Sequence, residues 1–288
     1  MIKKMDIDIR KEIEDFKRLD RFDWLIVLAM VIMFSPTFYR LATLGWKSAD
    51  YTHAYFIFPI TLWLIFRKRQ ELVKTEEVNK VGFIIIIVAS FLYLFSSLNE
   101  FMFLEAFSFV VMMYAVFKLK LTEDSFKKIL FPLAYLLFLI PPPGLAIDMA
   151  TLPLKKISTY GSYGLLKLFH LPVEVYGVIL KVKDHELFIS DACSGFRSIV
   201  TLLALGAVYA YFQDISLKKK WIIFLSVIPL GILGNILRIT LTGIISYFVG
   251  MKYAEGFFHD FSGAVLFIFT TFGLIGLTEL ITKKTHEN

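Results

Sequence analysis

Apolar residues in this chain run in long blocks separated by short charged stretches. A bilayer core about 30 Å thick takes about 20 residues of α-helix to cross. Eight blocks approach that length: roughly 23–44, 51–66, 81–98, 101–117, 129–147, 194–212, 221–248 and 257–282. The second is short unless it borrows from its flanks. The spacing therefore predicts an all-α polytopic membrane protein of about eight transmembrane helices, with a membrane domain over 22–282. Residues 1–21 are amphipathic and mixed in charge, which predicts a helix on the cytoplasmic membrane surface. Residues 283–288 form a short tail. No cleavable signal peptide is expected: the first 21 residues are too charged, and the next apolar run lacks a small-residue cleavage site.

One connection, from about 148 to 193, is much longer than the others. Pro141-Pro142-Pro143-Gly144 stops the fifth helix at the outer face. Residues 145–170 then place apolar residues at helical spacing, interrupted by Pro153, Lys155, Lys156 and Lys167. They predict one or two amphipathic helices lying on the outer interface. From Val173 to Ile189 the chain turns β-branched, and Lys183-Asp184-His185 supplies a turn. This predicts a β-hairpin whose second strand leads to Cys193. Such an element fits a site that holds an extended substrate, and equally a cover over helix ends. No internal repeat is visible, which weighs against an inverted-repeat transporter.

Composition agrees with a membrane protein. The chain is 57% hydrophobic and 16% aromatic over 288 residues, with a mean hydropathy of +0.67. A soluble domain needs more polar surface. The net charge of +6 would suit nucleic acid, but the basic residues follow membrane topology instead. With the N-terminus inside, inner segments hold Lys3, Lys4, Arg10, Lys11, Lys17, Arg18, Arg21, then Arg67, Lys68, Arg69, Lys74, Lys80. They also hold Lys118, Lys120, Lys127 and Lys128, then Lys218, Lys219 and Lys220, then Lys283 and Lys284. These are most of the 31 Lys and Arg. The positive-inside rule then gives eight spans with both termini in the cytoplasm. Trp24 and Trp221 fall at inner edges and Trp46 at an outer one, as interfacial aromatics do. Nucleic acid is not an expected partner; membrane lipids are.

Candidate chemistry centres on Cys193, the only cysteine. It lies in Asp191-Ala192-Cys193-Ser194-Gly195-Phe196-Arg197-Ser198. A lone thiol forms no intrachain disulfide and no multi-cysteine metal site; it is a packing residue or a nucleophile. Helical rise of about 1.5 Å per residue converts sequence into depth. Measured from the inner ends of their spans, Cys193 lies roughly 28 Å up, Arg238 roughly 26 Å and His259 roughly 34 Å. All three reach the outer boundary of the membrane. Arg238 is flanked by apolar residues, and an intramembrane charge is a functional candidate by default; its plain alternative is a structural ion pair. Gly231, Gly234 and Asn235, just before Arg238, would let a helix or ligand approach closely. His259 alone reads equally as an interfacial histidine.

Together the three fit acyl transfer. The thiolate is the nucleophile, a nearby Arg favours it and stabilises an oxyanion, and a His moves the proton. The product of attack is a thioester, which either water or a second nucleophile resolves.

These segments carry a resemblance. Asp191-Ala192-Cys193-Ser194-Gly195-Phe196-Arg197-Ser198, Asn235-Ile236-Leu237-Arg238 and His259-Asp260, in that order, resemble the exosortase/archaeosortase family of multi-pass membrane proteins. Softer matches are Tyr51-Thr52-His53-Ala54-Tyr55 with Pro59, the helix from Phe131-Pro132 to Pro143, and Pro172-Val173 leading to Gly177. The resemblance covers roughly residues 22–280. It implies a protein-sorting cysteine transpeptidase of the plasma membrane, with its active site facing outside. The implied partners are exported proteins ending in a short motif, a transmembrane helix and a basic tail. The implied acceptor of the new C-terminus is a lipid or another nucleophile.

Residue by residue, the resemblance makes Cys193 the nucleophile, Arg238 the anion stabiliser and His259 the acid/base. Some archaeal relatives carry Arg where this chain has His259, so that role is less fixed than that of Cys193. Gram-positive sortases use the same three residue types on an unrelated soluble β-fold, which would be convergence. His53, Arg197, Asn235 and Asp191 are candidates for substrate binding; for His53 a structural interfacial role, and for Arg197 with Asp191 an ion pair, are the alternatives.

Two other functions fit parts of the pattern. One is a purely hydrolytic membrane cysteine protease. The other is a non-enzymatic polysaccharide or lipid export component, which would place its charges nearer the midplane. No cofactor is expected, and no metal, since one Cys and scattered His do not assemble a site.

Overall fold

The computed structural model describes residues 20–47, 51–189, 194–255 and 257–286. Helix α1 (Arg21–Arg40) runs on into a π-helical turn, Leu41–Gly45. Helices α2 (Ala54–Lys68), α3 (Lys80–Leu98) and α4 (Met102–Lys120) follow. Next come α5 (Glu123–Lys128) and α6 (Leu130–Tyr135), the latter extended by a 3₁₀ turn over Leu136–Leu139. Beyond the triple proline lies α7 (Gly144–Leu168). Helices α8 (Phe196–Phe212), α9 (Leu217–Phe248), the short α10 (Met251–Glu255) and α11 (Phe257–His286) complete the chain.

By length and apolarity, five helical segments can cross a membrane: Arg21–Gly45, Lys80–Leu98, Met102–Lys120, Leu217–Phe248 and Gly263–Lys283. A sixth results if Leu130–Leu139 and Gly144–Leu168, bent by 86°, form one broken span. The bend lies at Pro141–Pro143, where missing N–H groups and fixed φ stop a helix. Reaching eight also requires α2 and α8, which at 15 and 17 residues rise only about 22 and 25 Å.

Helices α1 to α6 share one core. Phe34 meets Tyr93 and Phe109 at ring distances of 4.7 and 5.2 Å, and Phe38 sits edge-on to Phe109 at 4.9 Å. Glu105, fully buried, pairs with Arg40 and accepts a hydrogen bond from the Thr37 hydroxyl at 3.0 Å. A buried carboxylate needs both: the cation offsets its lost hydration and the hydroxyl takes up a remaining lone pair.

Many of the basic residues gather at one end of the bundle. Lys74 binds Asp23 at 2.6 Å and Asp20 at 3.2 Å, and Lys120 reaches Asp23 at 3.1 Å. Arg67 lies over the rings of Trp63 and Phe212, and Lys220 donates to the Tyr211 carbonyl. At the same end Lys128 and Lys68 hold the Glu71 carboxyl below its ordinary pKa. A cavity of about 1160 Å³ opens there between α1, α2 and α4, lined by Ile26, Leu62, Trp63 and Phe117.

Helix α9 organises the rest of the molecule. It packs antiparallel to α8, with Ile199 resting on Gly231 and Gly206 on Val227. It also packs antiparallel to α11, with Gly273 against Leu230 and Lys219 donating to the Ile281 carbonyl. With 32 residues, α9 is about 48 Å long, so it outruns a bilayer core. Its half away from the basic end carries α7 and the sheet.

Of the one or two helices expected over 145–170, the structure has one, the 25-residue Gly144–Leu168. It runs alongside α9 in the same direction, as the pairings Ser158 to Asn235 and Leu166 to Gly243 show. Buried Thr151, Ser158, Thr159, Ser162 and Leu166 give it a small, polar packing face, the kind that lets backbones approach.

The expected hairpin is instead a three-stranded antiparallel sheet: β1 (Val173–Tyr176), β2 (Ile179–Val182) and β3 (His185–Phe188), in that order. The turn at Lys183–Asp184 is present; a second one lies at Gly177–Val178. Gly177 has φ +63°, which only glycine adopts without cost. Val173, Leu180, Val182 and Leu187 face Leu166 of α7 and Ile239 of α9.

Candidate functional site

The entry to α8 is built around Gly195. Its φ of +82° turns the chain from the preceding segment into the helix, and the buried Ser194 hydroxyl accepts the Phe196 N–H at 3.2 Å. A side chain at Gly195 would be tight: a Cβ there would lie 3.0 Å from the Asn235 carboxamide carbon, and the positive φ strains any other residue. The α8 entry thus presses directly on Asn235 of α9.

Asn235 is itself held. It is buried, and its Nδ2 donates to the Ser158 hydroxyl of α7 at 3.0 Å. One turn away, the Ser162 hydroxyl donates to the Ile236 carbonyl at 3.0 Å. Three elements, α7, α8 and α9, therefore converge on one buried amide. Arg238 follows Asn235 by three residues on α9, toward the sheet, and is half-buried. Sequence reasoning misses Ser158 and Ser162. Their signal is a run of small residues, Ser158, Gly161, Ser162 and Gly164, on a helix otherwise marked by lysines.

Cys193 and Asp191 lie outside the described residues, as does the side chain of His259. The backbone at position 259 belongs to the first turn of α11. The antiparallel pairing of α11 with α9, continued along both helices, brings position 259 within about 5–9 Å of the height of Arg238.

His53 lies against α8 on the side away from Asn235, and position 197 shares that side of the helix. His53 precedes α2 and packs its ring 5.6 Å from that of Tyr51. Its Nδ1 is 3.4 Å from the Thr201 hydroxyl, and its Nε2 is buried with no hydrogen-bond partner among the described residues. On α8 the stripe of Ile199 and Gly206 faces α9. Thr201, two positions from Ile199, is rotated about 200° from it. Arg197, one turn before Thr201, shares that far face.

On the sheet's other face Tyr176 donates its hydroxyl to Glu174 at 2.7 Å, which holds the Tyr176 phenol above its ordinary pKa. Among the described residues no cluster of His, Cys, Asp and Glu could hold a metal ion. The large cavity at the basic end shares no residue with the region around Asn235.

A family model described as transmembrane exosortase matches residues 45–276, which include Gly195, Asn235 and Arg238. No curated protein and no solved structure matches the chain. The match spans α2 to α6 of the first core and most of the α7 to α11 assembly; with its apolar helices and small sheet, the chain belongs to the transmembrane exosortase family, multi-pass membrane proteins with a role in processing other proteins.

Proposed function

We propose that the protein is a membrane cysteine transpeptidase that cleaves a C-terminal sorting signal from exported proteins and passes the new C-terminus to an acceptor. The observation that carries this reading is the contact of Gly195 with Asn235. Cys193 is tethered two residues ahead of Gly195, and two residues of chain reach at most about 7 Å. Arg238 lies one turn beyond Asn235, so the thiol and the guanidinium work within a single small region. The basic end of the bundle belongs in the cytoplasm of a cell bounded by the plasma membrane, and this region then faces outside.

In this reading the Cys193 thiolate attacks the scissile carbonyl. The carbonyl oxygen becomes an oxyanion, and Arg238 stabilises it. His259 takes the thiol proton and delivers it to the leaving amine as the C–N bond breaks. The thioester that remains is attacked by an acceptor nucleophile, a lipid headgroup amine or hydroxyl, and the thiolate is released. Water in the acceptor's place gives simple hydrolysis. Mass spectrometry of mature exported proteins checks this step: the new C-terminus is expected to carry an added group, and a free carboxylate throughout shows a protease instead.

The same contact gives a structural prediction. In Gly195→Ala, a left-handed φ costs about 1–2 kcal/mol and the new methyl crowds Asn235. Either response shifts the α8 entry, and misplacement of about 1 Å at a reacting group costs about 100-fold. Processing is expected to fall about 10- to 100-fold with the protein still inserted at normal amounts, measured by pulse-chase of precursor and mature forms.

A further inference from the structure

The strand that leads to Cys193 ends in an open hydrogen-bonding edge. The sheet order is β1-β2-β3, so β3 is an outer strand, and among the described residues no further strand pairs with it. The opposite outer strand, β1, follows α7 and buries Val173 with Leu166 of that helix.

The parity of the ladder is fixed by one bond: the Ile189 N–H donates to the Val178 carbonyl at 3.0 Å. Paired residues in antiparallel ladders alternate between bonded and non-bonded. Leu187 and His185 therefore also bond toward β2, and the main-chain N–H and C=O of Glu186 and Phe188 point to the free edge. Their side chains are exposed, Phe188 at 62%. They continue two rows on the sheet's outward face, Glu174, Lys181 and Glu186 in one and Tyr176, Ile179 and Phe188 in the other.

Proteins usually blunt such an edge or cover it. Here it runs on, five residues later, into the one cysteine of the chain. Two donor and acceptor pairs spaced two residues apart match an extended polypeptide and nothing shorter. A strand added there lies parallel or antiparallel to the chain that leads, five residues beyond Phe188, to Cys193.

We infer that β3 recognises the protein substrate by strand addition: the extended segment beside the scissile bond pairs with the main chain of Glu186 and Phe188, and Phe188 with Tyr176 supplies an apolar and aromatic contact for its side chains. This rests on the transpeptidase reading above and names how that site takes its substrate.

Proline is the selective probe. It removes one N–H, and it is tolerated in a strand where that N–H faces the free edge. In host cells, the substrates are the membrane precursors that accumulate when the chain carries Cys193→Ala. Glu186→Pro and Phe188→Pro are each expected to slow conversion of those precursors about 10-fold. The double substitution is expected to slow it further, with the rate of Cys193 alkylation by a small maleimide unchanged. Wild-type conversion rates in both proline variants overturn the inference.

A second measurement does not depend on how proline is accommodated. A photo-cross-linking amino acid in place of Phe188, in the Cys193→Ala background, is expected to capture the same precursors. The same group in place of Tyr160, on α7, is expected to capture none. Absence of precursor adducts at position 188 overturns strand addition while leaving the transpeptidase reading intact. If Cys193→Ala accumulates no precursor at all, it is the transpeptidase reading that fails.

Discussion

Cys193→Ala is expected to abolish processing, a loss of at least about 10³-fold, with the protein still folded and inserted. The thiolate is the one group of the chain that bonds to carbon in the proposed mechanism, and the chain has no second cysteine to replace it. Cys193→Ser tests the chemistry more narrowly. It keeps shape and hydrogen bonding and removes only the acidity of the thiol, so it is expected to be nearly as inactive as alanine. Pulse-chase of an exported precursor measures both. Normal processing by Cys193→Ala would overturn the enzyme reading and favour an export component, whose transport would survive the substitution. The lone cysteine has a practical consequence too. Any thiol reagent that modifies this protein modifies Cys193, so a membrane-impermeant maleimide that blocks processing from outside also establishes which way the site faces.

The height of these groups along the helices is legible in the sequence, and their direction around each helix is not. Rise per residue needs only a count, and that count expects Cys193, Arg238 and His259 near one level; of their side chains, Arg238 alone lies among the described residues, one turn from the Gly195–Asn235 contact. Azimuth depends on which helices pack together. His53 illustrates this: its depth is compatible with the site, yet it meets Thr201 on the side of α8 away from Asn235. Small polar residues are a second gap. Ser158 and Ser162 brace α9 through hydrogen bonds to Asn235 and to the Ile236 carbonyl, but a serine on a helix marked by lysines looks like solvent-facing surface.

For α7 the breaker signals leave one helix or two equally open. Packing on α9 sustains a single helix across Pro153 and the lysines. In the sheet, β-branched residues identify strands correctly. The cue that escapes notice is Gly177 as a turn, because a single glycine amid valines reads as an irregularity within one strand.

Arg238 carries the second large effect. It is half-buried on α9, one turn from the amide that three elements hold in place. Arg238→Ala is expected to lower processing about 10²- to 10³-fold, the cost of losing an oxyanion donor from a preorganised site. Arg238→Lys keeps the charge but loses the planar fork with its several fixed donors. It is expected to recover part of the activity and remain well below wild type.

A purely structural arginine would give a different pattern: Lys and Ala would change protein amounts in the membrane before they changed the turnover of what remains. A second readout separates the two roles further. In the proposed site the guanidinium favours the thiolate over the thiol, so its removal is expected to move the titration of Cys193 upward, toward the ordinary thiol value of about 8.5. Below that value less of the thiol is then ionised. The rate of alkylation by a small maleimide, followed against pH, is expected to have its midpoint displaced upward in Arg238→Ala and much less in Arg238→Lys. An unmoved midpoint in Arg238→Ala would show that the charge does not act on the sulfur, and would confine Arg238 to the oxyanion or to packing.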